Sequence, residues 1–250
     1  MTVTTSDLGA ARVITWDRQA RRNAWDLETM IQIADAAEAA GEEPEIRCVV
    51  LRGAGEHFSA GDDLQAAIEA DSESWAATIE AFQRMTRVVL ASPLPAIAVI
   101  DGVCVGGALE FAASCDLRLC TNRVRLLTPE IGIGLVMSNA GTFFLPEVVG
   151  ETAARELLLS GEERDAEWAR EHGFATEMVA PGDLDGRIEH WAGVFSRNSR
   201  AAVAATKSML NERFGDLLAA AMDRETYHCV RLFDEPDARE ALKAFADRRG

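Results

Sequence analysis

A chain of 250 residues is long enough for one sizeable domain, or for a domain with a helical extension. Its formal net charge of −16 makes nucleic acid an unfavourable partner, because the protein would repel the phosphate backbone. The longest apolar run, Leu94 to Ile100, contains a proline and is too short to span a bilayer, so no membrane partner is expected. The N-terminus lacks the basic and apolar segments of a signal peptide, and we expect a cytoplasmic protein.

The five cysteines are odd in number and follow no repeated spacing. This argues against a disulfide framework, and none of the cysteines has the paired spacing of a zinc site. We therefore predict free thiols, mostly in apolar segments, and no metal centre.

Strand-like and helix-like segments alternate in the first half of the chain. Short apolar runs with β-branched residues predict buried strands at 47–51 and 96–100, and residues 116–120 are predicted as a third strand. Apolar residues at helical spacing predict a helix over 74–90, before Ser92-Pro93, and a second one from Gly106 to Ala113. This alternation favours a parallel sheet layered with helices.

The pattern changes from about Arg187 onward, where every periodic segment is helical. The predicted helices are 189–195, 200–210, 216–233 and 238–246. We therefore predict an α/β core over residues 1–190 and a helical C-terminal region over residues 191–250.

Two glycine-containing loops each follow a predicted strand and lead into a helix: residues 58–64 (FSAGDDL) and residues 102–110 (GVCVGGALE). A helix start leaves backbone N–H groups unpaired and carries partial positive charge. Two such loops at one sheet edge can aim two N–H groups at a single oxygen, as in an oxyanion hole. The alternative is that the glycines serve only tight turns and that Asp62 or Asp63 caps the next helix.

Glu110 and Glu130 stand out among the 41 acidic residues because their neighbours are apolar. Glu110 lies within ALEFAA, and Glu130 lies within TPEIGIG. A carboxylate in such surroundings is costly unless it is paired, protonated or functional. Both glutamates are therefore candidates for acid–base chemistry.

Several segments together resemble the crotonase, or enoyl-CoA hydratase/isomerase, family. FSAGDDL and AVIDGVCVGGALEFAASCDLRL resemble its two oxyanion loops, and TPEIGIG resembles its PEI/PEL-x-x-G segment. Arg21-Arg22-Asn23-Ala24 resembles the family's R-x-N-A segment, and residues 233–249 resemble its C-terminal helix. The similarity is collinear over nearly the whole chain, and the separation of 20 residues between the glutamates equals that in family hydratases.

This resemblance implies a crotonase-like α/β fold, in which a ββα superhelix core is followed by a helical C-terminal region. It also implies that the helical region packs between subunits of a homotrimer and that two trimers commonly pair into a hexamer. It implies that Asp62 and Gly107 donate backbone N–H groups to a thioester oxygen. Glu110 would act mainly on a water molecule and Glu130 mainly on the proton at the α-carbon. No cofactor is implied, because coenzyme A is part of the acyl-CoA substrate. The other substrate-binding residues implied are Arg22, Ala24, Ala60, Gly61, Asp63, Leu64, Gly106 and Ser138.

Retention of both glutamates favours an enoyl-CoA hydratase, which adds water across the 2,3-double bond of an enoyl-CoA thioester. The alternatives are an isomerase, hydrolase or decarboxylase of the same family, or a non-catalytic subunit that binds CoA thioesters. A serine hydrolase is disfavoured because the chain contains no G-x-S-x-G segment.

Two residues depart from the family pattern. Ser138 replaces a glycine, and Asp62 replaces a small residue, so its side chain is expected to point away from the oxyanion.

Two further groups of residues have both a functional and a structural interpretation. Basic residues near both ends of the chain could form a positive patch for CoA phosphates, although for any single one a solvated surface charge is favoured: Arg18, Arg21, Arg22, Lys243, Arg248 and Arg249. Apolar residues of the C-terminal helices could pack between subunits or within one chain: Val230, Leu232, Phe233, Leu242 and Phe245.

Overall fold

The computed structural model describes residues 2–249, with side chains described for residues 2–63 and 65–244. The described residues form eight strands: β1 Val3–Leu8, β2 Ala11–Trp16, β3 Cys48–Gly53, β4 Ala96–Ile100, β5 Val103–Val105, β6 Leu117–Cys120, β7 Arg125–Leu127 and β8 Glu177–Met178. They also form eleven α-helices: α1 Leu27–Glu42, α2 Leu64–Glu69, α3 Ser72–Ala91, α4 Gly107–Ser114, α5 Gly141–Val149, α6 Glu151–Ser160, α7 Ala166–Glu171, α8 Leu184–Ser196, α9 Arg200–Glu212, α10 Gly215–Phe233 and α11 Pro236–Arg249.

The main sheet has six strands in the order β1-β2-β3-β4-β6-β8. β1 and β2 form an antiparallel hairpin at one edge, and all other neighbours in this sheet are parallel. β5 and β7 form a separate parallel pair. The three strands predicted from the sequence are β3, β4 and β6. Because β3 and β4 are parallel neighbours, the loops that follow them leave the sheet at the same edge.

Successive side chains of the central strands face two different cores, as the pleat of a strand requires. Val49 and Leu51 of β3 belong to the larger core, which also contains residues of α1, α3 and α4. Cys48 and Val50 face the second core, against Ile188 of α8. A sheet covered on both faces explains why these strands read as continuous apolar runs.

Trp25 connects the segment after β2 to the two helices that flank the glycine loops. Its ring centroid lies 5.2 Å from that of Trp16 and 6.1 Å from that of Phe58. It also lies 5.7 Å from the ring centroids of Phe82 in α3 and of Phe111 in α4. Aromatic pairs in these geometries add packing energy beyond burial, so the cluster fixes α3 and α4 relative to the sheet edge.

The C-terminal helices α10 and α11 form a third apolar cluster with α2, α3 and the 3-10 turn Glu130–Ile133. Phe233 and Leu242 are buried in this cluster, and Val230 and Leu232 pack against it. For Phe233 and Leu242 the structure supports the interpretation of packing within one chain, because α2, α3 and the turn cover them. Assembly into trimers or hexamers stays a prediction. The side chain of Phe245 lies outside the described residues.

Only helices follow β8 in the described residues, and the division at residue 190 stays a prediction. All five cysteines are buried free thiols, as predicted. None of the described helices combines the length and the apolar character needed to cross a membrane.

Candidate active site

The two glycine loops run side by side in parallel register. Ser59 pairs with Cys104, through hydrogen bonds from Ser59 N to Val103 O and from Val105 N to Ser59 O, both 3.1 Å long. Asp62 and Gly107 each lie three residues beyond this pair, at equivalent positions of the two loops.

The close approach of the loops depends on Gly61. This residue has φ +84°, a conformation that L side chains rarely adopt. A Cβ at Gly61 would lie 2.6 Å from the carbonyl oxygen of Val105 in the second loop. The glycine predicted to bind substrate is thus required to bring the two loops together.

The backbone N–H groups of Asp62 and Gly107 donate to no acceptor elsewhere in the described residues. Gly107 is the first residue of α4, where a helix leaves its N–H groups unpaired. Its Cα faces the ring of Phe82, and a Cβ at this position would lie 2.7 Å from that ring. At Asp62 the carboxyl group is close enough to its own N–H to be stabilised in the charged form. Two unpaired donors at matched positions are what an oxyanion hole requires.

A cavity lies beside these loops, with a volume of about 550 Å³ that includes its opening to solvent. Six of the residues predicted from the sequence line it: Ala60, Gly61, Asp62, Gly106, Glu130 and Ser138. Its apolar walls come from four other parts of the chain and include Trp75, Leu135, Val136, Cys229 and Leu242. An apolar cavity with a few convergent polar groups has the composition of a small-molecule site.

Glu130 is the acid that lines this cavity. It begins the 3-10 turn that follows β7, and its Oε1 would lie 2.6 Å from a Cβ at Gly106. Its Oε2 is buried without a hydrogen-bond partner among the described residues. Burial raises the pKa of Glu130 to about 8, and the charge of Asp62 adds to that rise. Glu130 therefore holds a proton at neutral pH and can donate it.

Glu110 is 1% exposed and lies behind Ser138 rather than among the described residues that line the cavity. Its Oε2 accepts hydrogen bonds from Asn139 N (2.9 Å) and Gly141 N (2.7 Å), and its Oε1 accepts a longer one from Ser138 N (3.4 Å). Burial raises the pKa of Glu110 well above its usual value, and the charges of Glu225 and Glu130 act in the same direction. The amide donors oppose this rise by stabilising the carboxylate.

Asp62 contributes a second carboxyl group to the cavity. Its Oδ1 is buried and has no hydrogen-bond partner among the described residues. Burial raises the pKa of Asp62 to about 7, and the charge of Asp63 acts in the same direction. The structure therefore places this side chain beside Glu130, with a proton that is lost close to neutral pH.

Asp63 has a structural role. Its carboxylate caps α2 by accepting from Gln65 N, and it pairs with Arg18 at 2.7 Å and with Arg21 at 3.1 Å. The alternative interpretation of the first loop, in which an aspartate caps the next helix, is therefore correct for Asp63. Two of the arginines proposed for a phosphate patch are already partly neutralised by this carboxylate.

The remaining predicted residues frame the loops rather than line the cavity. The carbonyl oxygen of Arg22 accepts from Ala60 N at 3.0 Å, and that of Ala24 accepts from the guanidinium of Arg18 at 2.6 Å. The side chain of Leu64 lies outside the described residues, as do those of Arg248 and Arg249.

Sequence reasoning did not identify Trp75, Cys229 or Leu242 as cavity residues, nor Glu225 as a buried acid. Glu225 lies on α10 in one stripe with Ala221, Cys229 and Phe233, all of them buried. The signal for Glu225 is its place in an apolar helical stripe, whereas Glu110 was singled out by apolar residues next to it in the chain. No group of three histidine, cysteine or carboxylate side chains in the described part of the chain is arranged to hold a metal ion.

Comparison with known proteins identifies the family. Residues 9–250 match the family model described as Enoyl-CoA hydratase/isomerase. YngF of Bacillus subtilis, which carries an enoyl-CoA hydratase/isomerase name, is 32% identical over 238 residues, or 95% of this chain and 92% of YngF. Crotonyl-CoA hydratase of Syntrophomonas wolfei is 29% identical over 239 residues, or 95% of this chain and 92% of that protein.

The fold agrees with this assignment. Enoyl-CoA hydratase from Bacillus halodurans matches with a TM-score of 0.91 at 24% identity, over 98% of this chain and 100% of that one. A likeness at this level of identity establishes the fold, and it confirms the crotonase-type α/β architecture predicted from the sequence. The chain is therefore a member of the enoyl-CoA hydratase/isomerase family.

Proposed function

We propose that this protein is an enoyl-CoA hydratase, which adds water across the 2,3-double bond of an enoyl-CoA thioester. Three features found together support this most: the unpaired N–H groups of Asp62 and Gly107, the cavity beside them, and two glutamates, of which the charge of Glu130 raises the pKa of Glu110. Coenzyme A enters as part of the substrate, and the proposal requires no further cofactor.

The two N–H groups stabilise the charge that the reaction creates. When the oxygen of water bonds to C3, electron density moves from the double bond through C2 to the thioester oxygen. Fixed donors aimed at that oxygen lower the barrier, and one such donor is typically worth about 3–4 kcal/mol. In this proposal the donors are Asp62 N and Gly107 N.

The glutamates move the two protons. One proton of the water passes to a carboxylate as the C3–O bond forms, and a carboxylic acid delivers a proton to C2 as the enolate collapses to the product thioester. We assign the delivery to Glu130, because it lines the cavity and burial favours its protonated form. We assign the acceptance to Glu110, because three amide donors stabilise its carboxylate, and a raised pKa makes that carboxylate a stronger base.

One observation favours an isomerase as the second candidate. Glu130 lines the cavity, whereas Glu110 lies behind Ser138. An isomerase moves a proton between two carbons and needs only one carboxylate in contact with the substrate. Under that proposal Glu130 carries the proton and Glu110 stabilises the surrounding loop.

Turnover of crotonyl-CoA tests the proposal. The crotonyl-CoA hydratase similar to this chain makes that thioester a reasonable first substrate. Loss of the absorbance of the conjugated thioester is expected on addition of the protein. A panel of longer and branched 2-enoyl-CoA esters follows if the signal is weak. No turnover of any member, with binding retained, would favour the non-catalytic subunit instead.

We also propose that the protein assembles as a homotrimer, or as a hexamer made of two trimers. Large apolar side chains remain exposed on α9 and α10: Met209, Leu210, Leu217 and Tyr227. Apolar side chains grouped on neighbouring helices are typical of a surface that packs against another subunit.

A further inference from the structure

Glu225 is a third buried acid near the candidate active site, and the mechanism above does not use it. It lies on α10 and is 4% exposed. Its Oε2 accepts a hydrogen bond from Ala140 N at 2.6 Å. Its Oε1 accepts from Thr142 N at 2.8 Å and also from the hydroxyl group of Thr142.

Glu225 and Glu110 together bind the N–H groups of one segment, which we call the clamped loop (residues 138–142). Glu110 accepts from residues 138, 139 and 141, and Glu225 accepts from residues 140 and 142. Each of the five consecutive N–H groups is thereby satisfied by one of two carboxylates. The two acids come from helices that are more than a hundred residues apart in the sequence.

The clamped loop adopts a conformation that its sequence does not favour. Ala140 is fully buried and has φ +63° and ψ +26°, the left-handed region that a residue with a Cβ rarely enters. Such a conformation persists only where the surroundings hold it. The hydrogen bond from Ala140 N to Glu225 acts at the strained residue itself.

The next residue shows how closely the loop approaches Glu110. A Cβ at Gly141 would lie 2.6 Å from Glu110 Oε2. A change in the backbone at Ala140 would move the N–H groups of Asn139 and Gly141, which are bonded to that oxygen. The geometry around Glu110 thus depends on the conformation that Glu225 holds.

We propose that Glu225 is a positioning residue, which holds the clamped loop in the shape that presents the N–H groups of Ser138, Asn139 and Gly141 to Glu110. The proposal rests on the function proposed above, in which Glu110 takes part in acyl-CoA chemistry. Glu225 does not contact the substrate in this account, and it acts through the loop.

Electrostatics agree with this role. Burial raises the pKa of Glu225, and the donors of Thr142 and Ala140 oppose this rise by stabilising the carboxylate. The charge of Glu225 is in turn the largest influence after burial that raises the pKa of Glu110.

The test is a double-mutant cycle between Glu225→Gln and Ala140→Gly. Glutamine keeps the shape of Glu225 but places an amide NH2 group, which is a donor, where a carboxylate oxygen accepts a hydrogen bond. We expect Glu225→Gln to lower kcat by about 10²-fold, the usual cost of a misplaced catalytic group, with little change in KM. Glycine enters the left-handed region without strain, so the effect of Glu225→Gln should be much smaller in the Ala140→Gly background.

Amide hydrogen exchange provides a readout that does not depend on activity. In Glu225→Gln, exchange should rise at residues 138–142, while α4 and the middle of α10 stay protected. Thr142→Val removes only the hydroxyl bond to Glu225, and it should give a smaller change of the same kind. This variant also serves as the test if Glu225→Gln does not fold.

The outcomes separate this proposal from the proposed function. If the wild type turns over no acyl-CoA, the proposed function fails, and hydrogen exchange still reports whether Glu225 holds the loop. An equal loss of kcat with alanine or glycine at position 140 would overturn the positioning role. Unchanged exchange at residues 138–142 in folded Glu225→Gln, or in folded Thr142→Val where the first does not fold, would also overturn it.

Discussion

The carboxyl groups of Asp62 and Glu130 share one cavity, and the charge of Asp62 raises the pKa of Glu130. Burial raises the pKa of Asp62 to about 7 and that of Glu130 to about 8. At neutral pH, Asp62 is therefore near the midpoint of its titration, whereas Glu130 is mostly protonated. This difference makes the pH dependence of the protein informative.

Ionisation of Asp62 should inhibit hydration. A neutral Asp62 does not oppose the negative charge that develops near its own N–H group, and an ionised one does. We expect kcat/KM to fall as the pH rises through about 7, and Asp62→Asn to remove this limb. The limb from Glu130 should remain but move below about 8, because the charge of Asp62 no longer raises the pKa of Glu130. Asp223→Asn, on the exposed face of α10, is the matched control and should keep the fall near pH 7. If Asp62→Asn shows the same fall near pH 7 as this control, the prediction is contradicted.

The same pKa shift predicts how stability depends on pH. Between the ordinary value of 3.8 and about 7, the folded protein keeps a proton at Asp62 that the unfolded chain has released. Asp62 therefore contributes most to the free energy of unfolding below pH 3.8, and this contribution is lost as the pH rises to about 7. Denaturant unfolding should show that the free energy of unfolding decreases less between about pH 5 and about pH 8 in Asp62→Asn than in the wild type. Equal decreases would show that Asp62 is not buried as described.

Both active-site glutamates should be needed for hydration. Glu110→Gln can keep its carbonyl oxygen at the Oε2 position, where two amides donate, and so should fold. We expect Glu110→Gln and Glu130→Gln each to cost about 10²–10⁴-fold in hydration rate, the usual range for a lost general acid or base. The double variant should lose far less than the product, because both groups act on one water.

Comparison of two substrates separates the roles of these glutamates. Glu110→Gln should lose hydration of a 2-enoyl-CoA while it retains any isomerisation of a 3-enoyl-CoA. Parallel loss of both activities would show that Glu110 does not serve the water specifically.

The N–H of Gly107 can be tested with a matched pair of variants. A Cβ at this position meets the ring of Phe82, so Gly107→Ala and Gly107→Pro disturb the same contact. Proline is tolerated at the first position of a helix, and of the two substitutions it alone removes the N–H. We expect Gly107→Pro to lose at least about 10²-fold in kcat beyond Gly107→Ala. Similar activities in two folded variants would show that this N–H is not an oxyanion donor.

Assembly should depend on the apolar side chains of α9 and α10. Leu217 on α10 is 67% exposed, and Leu159 on α6 is 69% exposed and serves as a control of the same chemistry. We expect light scattering to report an oligomer at micromolar concentration, and Leu217→Glu to weaken it more than Leu159→Glu does. A monomeric wild type would contradict the prediction.

The sequence predicts the central strands and both active-site glutamates because their signals are local. β3 and β4 each contain at least four consecutive apolar residues, and β6 has apolar residues on both sides of Arg118. Glu110 and Glu130 have apolar neighbours in the chain itself. β1 was not predicted, because most of its side chains are exposed and polar. β5 and β7 have three residues each, too few for a periodic pattern.

The missed residues belong to patterns that exist only in three dimensions. Glu225 has polar neighbours in the sequence, and its apolar surroundings appear only along one face of α10. Trp75 and Leu242 meet at the cavity from segments far apart in the chain. The burial of Phe233 could be inferred from the sequence, but not whether the same chain or a partner covers it.

Hydration of a 2-enoyl-CoA in water enriched in ¹⁸O tests the central claim most directly. A hydratase bonds the oxygen of water to C3, so the product should be a 3-hydroxyacyl-CoA that carries the label, and Glu130→Gln should form it far more slowly. The same preparation should also be assayed with a 3-enoyl-CoA as a comparison. Movement of the double bond without any labelled hydroxyl product would contradict the hydratase assignment and establish an isomerase.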